Sequence, residues 1–293
     1  MVLRGEKGGN EMKNVIRTLI FDGQVSLTLA DTTTIVKEGA RLHLLSADAA
    51  IVFGKTLSAM TFMSACLKGD TGEISLSVKS DGVGGEIGVS GNRQLNIRGF
   101  MENGRATGDE ATVFGKNGSL TVIRDDGYAR PFVGACAFPE KVGVDAAFEE
   151  YFRISEQLPT RFATTVELSK TGEVSFAGVA VLQPLPFADE KTLQKTAEQD
   201  LTALLQNAKI SGVESAVENA FGKYAPVWEL RKAQYKCNCS RAYLTRVLVS
   251  LGERQMREII ESDGAVRVHC HYCNTDYEFT EKDADEVFPK NNG

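Results

Sequence analysis

Cys237-Asn238-Cys239 and Cys270-His271-Tyr272-Cys273 stand thirty residues apart near the end of a 293-residue chain. Their spacing decides how that end of the chain folds. A Cys-x-x-Cys turn lets two sulfurs converge from one backbone knuckle, and the Cys-x-Cys pair offers two more from a second segment. Four thiolates satisfy the tetrahedral preference of zinc, with Zn–S bonds of about 2.3 Å. Asn274 follows the second pair, where a knuckle needs a residue tolerant of positive φ. Cys237, Cys239, Cys270 and Cys273 are therefore expected to ligate one zinc ion per chain. The competing reading is a set of redox disulfides without metal. A thioredoxin-type site fits less well, because its Cys-x-x-Cys opens a helix, whereas Cys270 ends a strand. Lys236, Arg241, His269 and His271 flank the sulfurs. Such cations offset the negative charge of a four-thiolate site and keep its sulfurs ionised. Equally, the two histidines read as exposed neighbours, and neither is needed as a ligand.

Working outward, Ser240 is placed to cap a helix carrying Leu244, Val247, Leu248 and Leu251, with Gly252 as its stop. A second helix carries Met256, Ile259 and Ile260 and ends at Asp263-Gly264, and a strand from Ala265 to His269 leads into Cys270. Thr280 and Asp283 have capping-box spacing for a last helix. Upstream, Pro184 and Pro186 open a polar, helical zone. Leu193, Ala197, Leu201, Leu204 and Leu205 form one amphipathic stripe, and Val213, Val217 and Phe221 a shorter one. Helices this short take their stability mainly from docking on something else, so they are expected to lose it if the cysteine module unfolds.

The long N-terminal part mixes helices and strands. Asp31 or Thr32 is expected to cap a helix reaching about Ala47, followed by an apolar helix from Ala50 to Leu67. Glu73-Ile74-Ser75-Leu76-Ser77-Val78 alternates with period two, as a half-buried strand does. Gln94 to Met101 and Ser119 to Arg124 read similarly, and Asn117-Gly118 is a hairpin signal. A helix starting after Asp145 carries Phe148, Tyr151, Phe152 and Ser155. Strands from Phe162 to Leu168 and from Val174 to Leu182 join at Lys170-Thr171-Gly172. The fold class is α+β. Residues 14–183 form a large domain of mostly antiparallel sheet with helices, 184–236 a helical linker, and 237–288 a small zinc domain.

The chain carries 33 basic and 39 acidic side chains, a net charge of −6, and lacks the basic footprint of a nucleic-acid-binding protein. No run of about 18 apolar residues marks a membrane span, since Ala49 to Leu67 is broken by Lys55 and small polar residues. No apolar export signal precedes Asn14, so a cytoplasmic setting is expected. The polar, Gly-rich Met1 to Lys13 reads as unstructured. Clustered cysteines in such a chain suggest metal or redox chemistry over structural disulfides. Cys66 and Cys136 lie outside the cluster and read as buried, inert thiols. His43 has no Ser or Cys partner and reads as a helix-surface or core histidine, and no catalytic constellation is found.

Several segments together resemble the family of 33-kilodalton heat-shock proteins, which are redox-regulated holdase chaperones. They are Tyr235-Lys236-Cys237-Asn238-Cys239-Ser240-Arg241, Glu261-Ser262-Asp263-Gly264, Cys270-His271-Tyr272-Cys273-Asn274, Leu67-Lys68-Gly69-Asp70, Gly118-Ser119-Leu120-Thr121-Val122 and Ser155-Glu156-Gln157-Leu158-Pro159. The resemblance runs from about Val15 to Phe288. It implies a reduced, zinc-bound, inactive form and an oxidised, zinc-free, active one, with disulfides Cys237–Cys239 and Cys270–Cys273. It also implies loosening of the linker, homodimerisation on activation, and the holding of unfolding client proteins without ATP until ATP-driven chaperones refold them. Two such adjacent disulfides close very small loops and constrain the chain little, whereas zinc ties distant segments together. A thiol–disulfide oxidoreductase using the same cysteines is the alternative, though no thioredoxin-like βαβ context surrounds them. A zinc-ribbon adaptor for a partner or nucleic acid is a third reading, weakened by the acidic charge.

Overall fold

The computed structural model describes residues 13–127 and 130–289, so the expectation for the N-terminal stretch falls almost wholly outside the described residues. The chain divides into two compact units, one ending at Tyr235 and the other beginning at Lys236. In the first unit, β1 (Val15–Ile20) and β2 (Val25–Asp31) precede α1 (Thr33–Leu42) and α2 (Ala47–Ala65). Then come β3 (Glu73–Ser80), β4 (Ile87–Asn92), β5 (Asn96–Met101), α3 (Glu110–Phe114), β6 (Gly118–Asp125) and β7 (Phe132–Ala137). After α4 (Val144–Tyr151) follow β8 (Arg161–Leu168) and β9 (Val174–Pro184). The unit closes with α5 (Glu190–Ala197), α6 (Leu201–Ser211), α7 (Val213–Phe221), β10 (Trp228–Arg231) and β11 (Gln234–Tyr235). The strands form two sheets, ordered β10-β1-β2-β9-β8 and β11-β5-β4-β3-β6-β7. Every pairing is antiparallel except that of β11 with β5.

The apolar helix expected from the sequence is α2, and it contacts strands of both sheets. It is buried almost all round, so its polar residues must be satisfied within the helix or by close neighbours. Thr56, Ser58 and Thr61 do so by donating to the carbonyls of Val52, Gly54 and Leu57, and Ser58 Oγ also lies 2.6 Å from Thr32 Oγ1. Gly54 permits a close approach, because a Cβ there would stand 2.5 Å from Val36 Cγ1 and 2.9 Å from Val166 Cγ2. No helix of the described residues is long and apolar enough to cross a membrane.

Several local expectations change. The helix capped at Thr32 ends at Leu42 rather than Ala47, because Leu44 takes a positive φ of 50° and Ser46 caps α2 by accepting from Ala49 N–H. Asn117-Gly118 is no hairpin. It joins α3 to β6, and the Asp81 carboxylate accepts from the backbone N–H groups of Lys116 and Asn117. The strands β1, β2, β4 and β7 were not read from the sequence at all. β2 and β4 are buried at nearly every position, which erases the alternation that marks a half-buried strand.

The middle zone differs most. Its first stripe breaks at Asp200, which caps α6 by accepting from Ala203 N–H. Leu193 is 42% exposed and Ala197 exposed, while α5 buries Thr192 and Thr196 instead. Leu201, Leu204, Leu205, Val213, Val217 and Phe221 pack with Ile16, Ile20, Leu27, Leu29 and Leu182 of the five-stranded sheet. These helices therefore dock on the sheet of their own unit. Their packing does not support the expectation that they lose their footing when the cysteine module unfolds. The zone also holds two strands, with β10 added to the edge of one sheet and β11 to the edge of the other. Tyr235 Oη donates to Gly99 O over 3.0 Å.

Leu205 is 1% exposed beneath α6. Leu205→Ala should lower stability of the first unit by about 2–5 kcal/mol in urea denaturation. Zinc bound per chain should stay as in the parent, since the cysteine module has a core of its own.

Candidate metal centre

The second unit consists of α8 (Arg241–Leu251), α9 (Glu253–Asp263), β12 (Val266–Cys270), β13 (Thr275–Phe279) and α10 (Glu281–Val287). β12 and β13 form an antiparallel hairpin running from the Val266–Phe279 pair to the Cys270–Thr275 pair. The turn between them is the knuckle. Asn274 adopts φ 54°, and its N–H donates to Cys270 O over 2.8 Å, which folds Cys273 back beside Cys270. Cys237 and Cys239 precede α8, whose cap Ser240 accepts from Tyr243 N–H over 3.1 Å. Gly252 and Gly264 stop α8 and α9 with φ of 96° and 79°, and the Thr280–Asp283 capping box opens α10. Each of these local features matches its sequence signal.

The four sulfurs lie within 4.8 Å of one another. Cys237 Sγ is 3.7 Å from Cys270 Sγ, and Cys239 Sγ is 3.2 Å from Cys273 Sγ. A tetrahedron with bonds of about 2.3 Å has edges of about 3.8 Å, so the sulfurs fit around one zinc ion. An all-thiolate set also suits zinc by ligand softness. Among the described residues this is the one such group of His, Cys, Asp or Glu side chains. Because every sulfur is near every other, distance does not choose between adjacent and crossed disulfide partners. Burial and the neighbouring sulfurs push the Cys237 thiol well above its ordinary value.

Three neutral groups lie within hydrogen-bond distance of the sulfurs. Cys239 N–H donates to Cys237 Sγ over 3.5 Å. Tyr277 Oη is 3.3 Å from Cys239 Sγ, and Thr275 Oγ1 is 3.3 Å from Cys273 Sγ. The bond to Cys239 pushes the Tyr277 hydroxyl up to about 12. Two of the flanking side chains are engaged elsewhere. Arg241 donates to Glu278 O over 2.8 Å, pairs with Asp283 and stacks 4.5 Å over the Phe279 ring. The imidazole of His269 sits 2.7 Å from the Asp276 carboxylate and 5.1 Å from the His271 ring. Tyr277 and Thr275 were missed in the sequence. The signal was there, because alternate residues leaving the knuckle along β13 share one face, and Phe279 on that face is buried.

The module's core is small: Leu248, Met256, Ile260, Val266, Phe279 and Ala284. Val247 and Leu251, expected on the buried stripe of α8, are exposed, as are Tyr243 and Val249. Cys66 and Cys136 belong to the first unit. Burial pushes the half-buried Cys66 thiol up and that of Cys136 up to about 11, as suits unreactive thiols. His43 ends α1, with Nε2 3.3 Å from Tyr235 Oη.

Four matches link the chain to known proteins. A family model described as Hsp33 protein matches residues 13–280. A 33 kDa chaperonin of Clostridium perfringens is 31% identical, covering 92% of this chain and 89% of the relative. One of Geobacillus sp. is 32% identical over 93% and 96% of the two chains. The crystal structure of the 33 kDa chaperonin of Thermotoga maritima superposes with a TM-score of 0.78 at 22% identity, covering 94% of this chain and 98% of that one, and so shares the α+β fold.

Replacing Cys270 and Cys273 together by Ser should reduce bound zinc from one per chain to none detectable after dialysis, as read by metal analysis. It should also leave residues 236–289 cut by protease before the first unit, because so small a core does not hold the module alone. Zinc retained at parental affinity would exclude this ligand set.

Proposed function

Because the chain belongs to the Hsp33 family, whose relatives are named chaperonins rather than enzymes, we propose that it is a redox-regulated, ATP-independent holdase. In this reading the reduced, zinc-bound form is inactive. Oxidation to Cys237–Cys239 and Cys270–Cys273 releases the metal and activates the holding of unfolding proteins. The observation that carries the proposal is the convergence of four sulfurs from two segments onto one point. A zinc ion held there supplies a crosslink between those segments, with apparent binding energies in small zinc modules of about 10–16 kcal/mol.

Loop topology makes the crosslink switchable. Adjacent disulfides would close loops of a few residues and hold the two segments to nothing but themselves. Crossed disulfides would keep the segments joined. Adjacent pairing therefore unfolds the module, and crossed pairing preserves it. The consequence passes along the backbone, since Lys236 alone separates Tyr235 of β11 from Cys237. β11 has two residues and β10 four, and both are edge strands, so they have few bonds to lose. Their release would bare the edges of β1 and β5, which are templates for extended client chains. In this picture residues 14–183 are the stable domain, 184–236 the linker and 237–288 the switch. Homodimerisation on activation, hand-over to ATP-driven chaperones and a cytoplasmic setting complete the reading.

The test is to treat the zinc-loaded protein with peroxide under mild heating and follow zinc release, disulfide mapping and aggregation of a denatured client without ATP. Adjacent disulfides, about one zinc released per chain and suppressed aggregation are expected. Zinc release without client protection would refute the holdase. Catalytic turnover of a disulfide substrate would instead favour an oxidoreductase.

A further inference from the structure

Tyr277 stands opposite Val268 in the β12–β13 hairpin, and its ring packs on the module's core. The ring is thus anchored on the segment that carries Cys270 and Cys273. Its hydroxyl lies 3.3 Å from Cys239 Sγ, on the other segment. Thr275 touches Cys273, two residues away on its own segment, so Tyr277 is the hydroxyl that reaches across. We propose that Tyr277 is a positioning residue that sets the reactivity of Cys239, donating a hydrogen bond to that sulfur and slowing its oxidation by hydroperoxides. The proposal deepens the redox-switch reading and rests on it.

The chemistry is a two-electron transfer. The thiolate sulfur attacks one oxygen of the hydroperoxide, the O–O bond breaks, and the other oxygen leaves as hydroxide or alkoxide. The sulfur is left as sulfenic acid. A second thiolate then displaces hydroxide from that sulfur and forms the disulfide. A donated hydrogen bond draws density from the attacking lone pair, and it must weaken as the sulfur gives up its charge. With Tyr277 in place Cys239 is held back. The neighbouring sulfurs, which this hydroxyl does not reach, are then attacked first and set the rate of metal loss only in part.

Two variants of the full, zinc-loaded chain separate the hydroxyl from the ring. Tyr277→Phe keeps the ring and removes the donor, and Tyr277→Leu removes both. Zinc loss is read with a chromogenic chelator at fixed hydrogen peroxide, and the four cysteines are ranked by limited iodoacetamide labelling and mass spectrometry. Tyr277→Phe should speed attack at Cys239 about three- to tenfold, a change of up to about 1.4 kcal/mol in barrier, and quicken zinc loss by a smaller factor, since the other three sulfurs react as before. Cys239 labelling should rise against that of the other three, with the melting temperature unchanged. Acceleration in Tyr277→Leu alone would show a packing role and overturn the proposal, as would an equal rise at all four sulfurs. Neither readout uses client holding. A Cys239-selective rise in a protein that never protects a client would sink the holdase and leave Tyr277 standing. Normal protection without a selective rise would do the reverse.

Discussion

Six buried side chains make up the core of the C-terminal unit, too few to offset the ordering of about 55 residues. Its helices are well begun, by Ser240 and by the Thr280–Asp283 box, but each cap contributes only about 1 kcal/mol. α8 even leaves Tyr243, Val247, Val249 and Leu251 exposed. What joins Cys237 and Cys239 to the hairpin bearing Cys270 and Cys273 is the meeting of four sulfurs. Everything else in the unit depends on that junction. The same four atoms can hold the segments together or let them go, according to how they are paired.

The first unit is built on the opposite principle. α2 is buried between strands of both sheets, closed in by Gly54 and by hydroxyls bonded back to their own helix. A second apolar layer under α6 and α7 covers the other face of β1 and β2. Such a core does not yield to a local change. Its least secured parts are β10 and β11, short strands at sheet edges, with β11 followed by the cysteine module in the chain. Local opening draws on segments with few contacts. A fold of this kind can bare its sheet edges while α2 and its surroundings stay intact.

How much of this could be read in the sequence follows from burial. Ser240, the Thr280–Asp283 box, the Gly252 and Gly264 stops, the Asn274 knuckle and the cysteine spacing follow local rules and came out as the residues indicated, whereas Thr32 opens α1 without a side-chain cap and α4 starts at Val144, ahead of Asp145. β3 was legible because one of its faces is solvated, whereas β4 was not, with Gly88 and Gly91 in a strand covered on both sides. The Leu193–Ala197 stripe misled because helical spacing carries no information about what lies opposite, and here nothing covers Leu193. The docking of α6 and α7 on β1 and β2 joins residues nearly two hundred positions apart, beyond any local pattern. At the site the grouping of the four cysteines was plain, but the direction of their neighbours was not. Charge beside a thiolate is easy to see in a sequence, while Arg241 turning to Asp283 and Tyr277 turning to Cys239 are matters of tertiary direction.

That correction bears on how a switch of this kind works. Had Arg241 faced the sulfurs, its charge would favour free thiolates. Among the groups at the sulfurs are an amide N–H that donates to Cys237, the Tyr277 hydroxyl beside Cys239, and the Thr275 hydroxyl, which accepts from Cys273 Sγ, and none of the three carries charge. Burial already works against ionising Cys237. Four thiolates at one point repel one another, and a cation among them offsets that charge. A zinc ion held by all four would thus link ionisation to the joining of the segments, and its loss would leave four mutually repelling sulfurs.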